Sequence, residues 1–300
     1  MATLQVVDPH IHLWNVQTHR YPWMASAGRN FMGNCDAILK TYEVNEFLAD
    51  ARGVDVLKVV HIDAAHDPAA PLEETRWLQS LADAPGARGL PHGIVAYADL
   101  SAPDVDALLA RHAQFRNVRG IRQTLNVHPD PYYDYVGRDF MREGAWRRGF
   151  GLLARHRLSF DLQIYPHQMG EAAELARAHP QTTIILNHAG MFVDRSTVAG
   201  WRAWRDGMRE LAACPNVHVK ISGLGMVDHE WTVESLRPYA LETIDAFGTQ
   251  RAMFASNFPV DRLYGTYAAL WQAFDRIVGG ASPEERHALF RGNAERVYRI

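Results

Sequence analysis

Residues 6–14 read Val-Val-Asp-Pro-His-Ile-His-Leu-Trp. The apolar run Leu4–Val7 leads into two histidines, His10 and His12, separated by one residue. Side chains at i and i+2 of an extended strand share a face. Both imidazoles therefore point the same way from the end of a first strand, with Asp8 in the same column. Two imidazoles so placed can grip a metal ion, polarise a carbonyl or pass a proton. The same spacing also suits a histidine pair in a polar turn, so the rest of the chain must decide.

The elements that would position this pair repeat along the chain. Short apolar runs suited to strands buried on both faces occur at Leu4–Val7, Val54–Ile62, Gly93–Ala98, Val118–Arg122, Leu158–Ile164, Thr183–Asn187, Val217–Ile221 and Ala252–Ala255. Amphipathic patterns alternate with them at Glu43–Arg52, Leu72–Asp83, Ala102–Phe115, Phe140–His156, His167–His179, Val198–Ala213, Val233–Phe247 and Tyr267–Val278. Ser101 before Pro103, Ser196, and Ser282 before Pro283 and Glu285 read as helix starts. Eight strand–helix units in 300 residues fit one (β/α)8 TIM barrel domain, 1–300, with a C-terminal helix. An open doubly wound sheet is the alternative, but no Gly-rich phosphate loop follows any strand.

Two connectors are long: Trp14–Lys40, with Trp14, Tyr21, Trp23, Met24, Phe31 and Met32, and Asn126–Asp139, with three tyrosines. In a barrel both leave the C-terminal mouth, and their aromatic content suits walls or a lid.

A barrel brings its strand ends to one rim. There stand His10 and His12, then His61 and Asp63, Arg122, Asp161 and Gln163, Asn187 and His188, Lys220 and Ser222, and Ser256, Asn257 and Asp261. Burying so many polar ends singly costs about 1–3 kcal/mol each; a shared polar site satisfies them together. His112, His156, His179 and His287 lie in helical patterns and are expected to face solvent.

Composition narrows the partners. With 47% hydrophobic residues, 22% charged residues and a net charge of -3, the chain resembles a globular protein with no electrostatic footprint for nucleic acid. No apolar run approaches the ~20 residues of a membrane span, and the start lacks a signal-peptide pattern. Cys35 and Cys214 match no metal or redox spacing. A cytoplasmic protein acting on a small molecule is expected; a homo-oligomer is compatible with this composition.

With His10-X-His12, Asn187-His188-Ala189-Gly190 and Ser256-Asn257-Phe258-Pro259, the chain resembles the amidohydrolase superfamily. More narrowly, it resembles the amidohydrolase-related branch of sugar-acid lactonases and the 2-pyrone-4,6-dicarboxylate lactonase. Gly120-Ile121-Arg122, Val219–Leu224 and Gly292–Tyr298 extend the likeness over the whole length. The resemblance implies a hydrolase that opens a lactone of a small anionic or polyhydroxylated metabolite. It implies one divalent metal, Zn2+, held by His10, His12 and His188, or a site that works without metal. The strand-five lysine and strand-four glutamate that bridge two metals in other branches are replaced by Gln163 and Arg122. The strand-eight aspartate that deprotonates water in the family falls on Asn257, which cannot serve as a base; Asp261, His61, Asp63 and His188 are then the candidates.

The expected catalytic set is His10, His12, His188, Asn257 and Asp261; the expected substrate contacts are Trp14, His61, Asp63, Arg122, Gln163 and Lys220. Asn257 also keeps open a metal-assisted decarboxylase or other lyase, which needs no water-activating aspartate, and a binding protein that has lost its chemistry.

Overall fold

The computed structural model describes residues 4–25, 31–134 and 136–300. The start of the chain, part of the first aromatic loop and Tyr135 lie outside them. Eight parallel strands follow one another in sequence order around a barrel: β1 (Gln5–Ile11), β2 (Asp55–Ile62), β3 (Gly93–Tyr97), β4 (Val118–Thr124), β5 (Ser159–Gln163), β6 (Ile184–Leu186), β7 (Val217–Ile221) and β8 (Ala252–Phe254). β1 continues through His10 to Ile11, four residues beyond the apolar run that marks it in the sequence. The ring closes where Ile11 bridges Phe258. There Asn257 N donates to His10 O at 2.8 Å, and His12 N donates to Phe258 O at 2.7 Å.

The strands are apolar on both faces because helices cover the outside and side chains fill the inside. Val7, Val60, Ile62, Val95, Ile185 and Met253 pack with Val297 and Tyr298 of the C-terminal helix Asn293–Tyr298. Among the described residues no helix is long and apolar enough to cross a membrane.

Several helix starts follow the expected capping chemistry. Ser282 and Glu285 form a capping box, and Thr197, one residue after Ser196, caps Val198–Ala212. Ser101 does not cap. Its hydroxyl binds Asp99, and the helix begins later, as Val105–His112. The pattern Phe140–His156 is also interrupted: extended backbone at Glu143 separates Phe140–Arg142 from Gly144–Gly151, while the Glu143 carboxylate takes two bonds from Arg138.

His112 corrects another expectation. It is fully buried because both ring nitrogens have local partners, Thr75 Oγ1 at 3.1 Å and Tyr97 O at 3.0 Å. His287 is exposed; His156 and His179 are partly covered.

The helix Gly144–Gly151 crosses close to the end of the β3 connection. A Cβ on Gly149 would lie 1.9 Å from the Leu100 carbonyl oxygen. Backbone cannot yield as a flexible side chain can, so Gly149→Ala is expected to destabilise the protein by about 1–3 kcal/mol. Urea denaturation measures this, and an unchanged midpoint would contradict the packing described.

Candidate active site

The C-terminal mouth holds a cavity of about 550 Å3 lined by residues that include His12, Trp14, Trp23, Arg122, Gln163, His188 and Asn257. Six of the eleven residues expected from sequence therefore meet in one wall: His12, Trp14, Arg122, Gln163, His188 and Asn257. The other five, His10, His61, Asp63, Lys220 and Asp261, are buried in the structure but are not among the cavity-lining residues.

The three central imidazoles are packed together. The His10 ring centre lies 5.0 Å from His12 and 4.5 Å from His188. Burial, reinforced by nearby Arg122 and, for His10 and His188, by Lys220, holds all three well below the usual histidine range, so they are neutral at physiological pH. Their hydrogen bonds constrain where the protons sit. His12 Nδ1 is 2.8 Å from Ile62 O. A carbonyl can only accept, so Nδ1 carries the proton and Nε2 keeps a lone pair. His61 is the reverse: its Nδ1 accepts from Leu13 N at 3.0 Å, which puts the proton on Nε2, 3.7 Å from Glu74 Oε1. His188 Nδ1 meets Ser222 Oγ at 2.9 Å. Gly223, with φ +62°, permits this approach, since a Cβ there would stand 2.6 Å from His188 Nδ1.

The cations are held from behind. Arg122 Nη1 donates to Gln163 Oε1 at 2.9 Å, Nη2 donates to Asp63 O, and Nε lies 3.4 Å from Asp63 Oδ2. Asp63 is therefore a support for Arg122 rather than a wall residue; burial pushes its carboxyl up to about 6 while Arg122 opposes the shift. Lys220, one of the expected substrate contacts, is fully buried and paired with Asp161 at 2.5 Å.

Asn257 adopts φ 59° and His188 φ 57°, sparsely populated conformations that recur at functional sites. Both follow strand ends, where the backbone turn sets their side chains on the cavity wall. Asn257 Nδ2 donates to Asp261 Oδ1 at 3.1 Å, which leaves Oδ1 of the amide as an acceptor for water. Asp261 stands behind Asn257, with its Oδ2 unpartnered.

Sequence reasoning passed over Glu74, which is buried on the inner face of Pro71–Asp83. Its position four residues before Leu78 on an apolar face was the available signal. Met191, Met226 and Val260 also line the cavity, and nothing in their local patterns marked them. The wall from the first aromatic loop is fixed by Trp14 Nε1 donating to Lys40 O at 2.7 Å and Trp23 Nε1 donating to Ala64 O at 2.9 Å.

Comparison with known proteins agrees with this fold. The amidohydrolase family model matches residues 7–300. An uncharacterised protein, y4mH, of Sinorhizobium fredii is 49% identical over 302 residues and all of both chains. An L-fucono-1,5-lactonase of Burkholderia multivorans is 30% identical over 314 residues, 98% of this chain and 96% of that one. Among solved structures, an amidohydrolase from Burkholderia multivorans with bound zinc superposes with a TM-score of 0.81 at 26% identity, over 99% of each chain.

The buried carboxyl behind Asn257 has a measurable consequence. Burial pushes Asp261 up to about 7, against the lowering effect of its bonds from Asn257 and Gly223. The folded protein keeps a proton that the unfolded chain releases from about pH 4 upward, so stability falls as pH rises through this window and levels off above it. Asp261→Asn removes that titration. Relative to wild type, it is expected to gain stability between about pH 5 and about pH 8, as read from urea denaturation at both values. Parallel pH profiles would contradict the assignment.

Proposed function

This chain belongs to the amidohydrolase family and is a hydrolase, and from that premise we propose that it opens the cyclic ester of a small sugar-acid lactone. The observation that carries the reading is the proton placement on His12. Its Nε2 lone pair stands in the cavity wall together with Asn257, which can orient water, and Arg122, which can receive developing negative charge. This arrangement does not require the missing strand-eight aspartate. His12 Nε2 takes a proton from water, and the resulting hydroxide adds to the lactone carbonyl. Arg122 stabilises the oxyanion. Collapse breaks the ring C–O bond, and the imidazolium returns its proton to the departing alkoxide, leaving a hydroxy acid.

The substrate class follows from the lining. Among the described residues, Arg122 is the one cation in the cavity wall, and Asp63 already offsets its charge. Trp14, Trp23, Phe31, Met32, Val136, Met191, Met226 and Val260 supply apolar surface. A neutral or singly charged polyhydroxylated lactone suits such a cavity better than a dicarboxylate. The relatives named L-fucono-1,5-lactonase support the same class. A lyase on this barrel draws on Asn257 alone, whereas the His12 lone pair favours water activation. Two unbridged cysteines agree with a cytoplasmic setting.

The residues do not fit a divalent metal. Among the described residues no group of three His, Cys, Asp or Glu side chains is disposed to hold one. Within the His10, His12 and His188 cluster, Lys220 lies 3.4 Å from His10 Nδ1, and the nearby carboxylates Asp161 and Asp63 are engaged by Lys220 and Arg122.

Hydrolysis of L-fucono-1,5-lactone and related aldonolactones, followed by acid release, tests the proposal. Turnover is expected to survive chelator treatment. His12→Gln should lower kcat by about 10²–10⁴-fold, while Arg122→Met should reduce kcat/KM. Failure of every lactone to react, or a fully active His12→Gln variant, would refute it.

A further inference from the structure

Beneath the cavity floor lies a chain of buried polar groups that the hydrolytic steps above do not use. Lys220 on β7, Asp161 on β5 and Tyr298 of the C-terminal helix are all fully buried. Asp161 Oδ1 accepts from Lys220 Nζ at 2.5 Å and from Tyr298 Oη at 2.8 Å. The ammonium also lies 5.1 Å from the Tyr298 ring centre. Its remaining close polar neighbour is His10 Nδ1, at 3.4 Å. Charges with no access to water persist when paired and hydrogen-bonded, and the short contact with Asp161 is of the charge-assisted kind.

We propose that Lys220, anchored by Asp161 and Tyr298, is a positioning residue that fixes the ring proton of His10 on Nε2 and so makes His10 a hydrogen-bond donor behind the wall residues His12 and His188. An ammonium has three donors and no acceptor, so His10 Nδ1 can meet it only as the acceptor. The neutral ring then carries its one proton on Nε2. That atom is buried and has no protein partner, a condition that a bound oxygen, of water or substrate, would relieve. His10 touches the rings of both His12 and His188, so an oxygen held between those two wall residues is the partner of matching chemistry. Three packed imidazoles thereby take distinct roles, with His12 offering a lone pair and His10 an N–H.

The kinetic part of this inference rests on the lactonase reading; the proton assignment does not. Long-range ¹H–¹⁵N correlation spectra of protein labelled in its histidines, with His10 identified by its loss in His10→Gln, report each ring's tautomer directly. His10 is expected to show a pyrrole-type Nε2 and a pyridine-type Nδ1. The reverse pattern in the wild-type protein would overturn the proposal, and His10→Gln, used for the assignment, is the one variant this measurement needs. In Lys220→Met/Asp161→Leu, which removes both charges together, the His10 preference is expected to vanish and kcat to drop about 10–100-fold with KM little changed. A folded double variant that keeps both the tautomer and kcat would also overturn it. If no lactone is turned over but the wild-type spectrum shows the Nε2 proton, the positioning role stands and the lactonase reading alone fails.

Discussion

Closure of the barrel depends on one buried carboxylate. Asp8 Oδ1 accepts from Ser256 N at 3.0 Å and His10 N at 3.2 Å, and Oδ2 accepts from Tyr267 Oη at 2.9 Å. β8 is only three residues long, and its pairing with β1 reduces to the Ile11–Phe258 bridge and the adjoining backbone bonds. Asp8 therefore provides side-chain bonds where the ladder is short. Burial raises its carboxyl to about 6, while the bonds it receives oppose that shift. The two residues held through their backbone N–H groups, His10 and Ser256, lie within two positions of the wall residues His12 and Asn257. The seam and the site are thus one construction.

A second constraint is electrostatic. Two cations stand near three imidazoles that have almost no contact with water, and each cation is matched by a buried carboxylate, Arg122 by Asp63 and Lys220 by Asp161. Removing either carboxylate would leave an uncompensated charge in a poorly solvated region, a condition that destabilises strongly. With the pairs intact, the histidines remain neutral, and neutrality lets neighbouring rings adopt opposite proton placements. A charged cluster would lose that distinction, because both nitrogens of an imidazolium are donors.

The sequence displayed the barrel because buried parallel strands leave long apolar runs at regular intervals, and a strand's end is marked by its first polar residues. It displayed the rim for the same reason: His12, Arg122, His188 and Asn257 each follow or terminate such a run. It could not show depth. His10, His61, Asp63, Lys220 and Asp261 have the same local pattern as the wall residues, yet they are buried behind the wall, and register shifts such as those between β1 and β2 at Val6/Val7 and Asp8/Ile11 leave no mark in a local pattern. Tyr267 and Tyr298 were hidden for a different reason. Their roles depend on contacts with Asp8 and Asp161, separated from them by 259 and 137 residues, and no local period records such a pairing.

Asn257 gains its meaning from this depth. At a strand end an aspartate could accept a water proton directly; an asparagine moves that task to another atom while keeping the ability to orient water. The carboxylate has not left the neighbourhood. It stands four residues later as Asp261, bonded to the amide from behind. Because burial pushes that carboxyl toward neutrality, it suits holding an amide in place better than carrying negative charge beside a substrate. The lone pair that remains in the wall belongs to His12, whose partner is a backbone carbonyl of β2. Its tautomer is therefore set by the barrel backbone itself, an arrangement that side-chain substitutions at the rim cannot easily disturb.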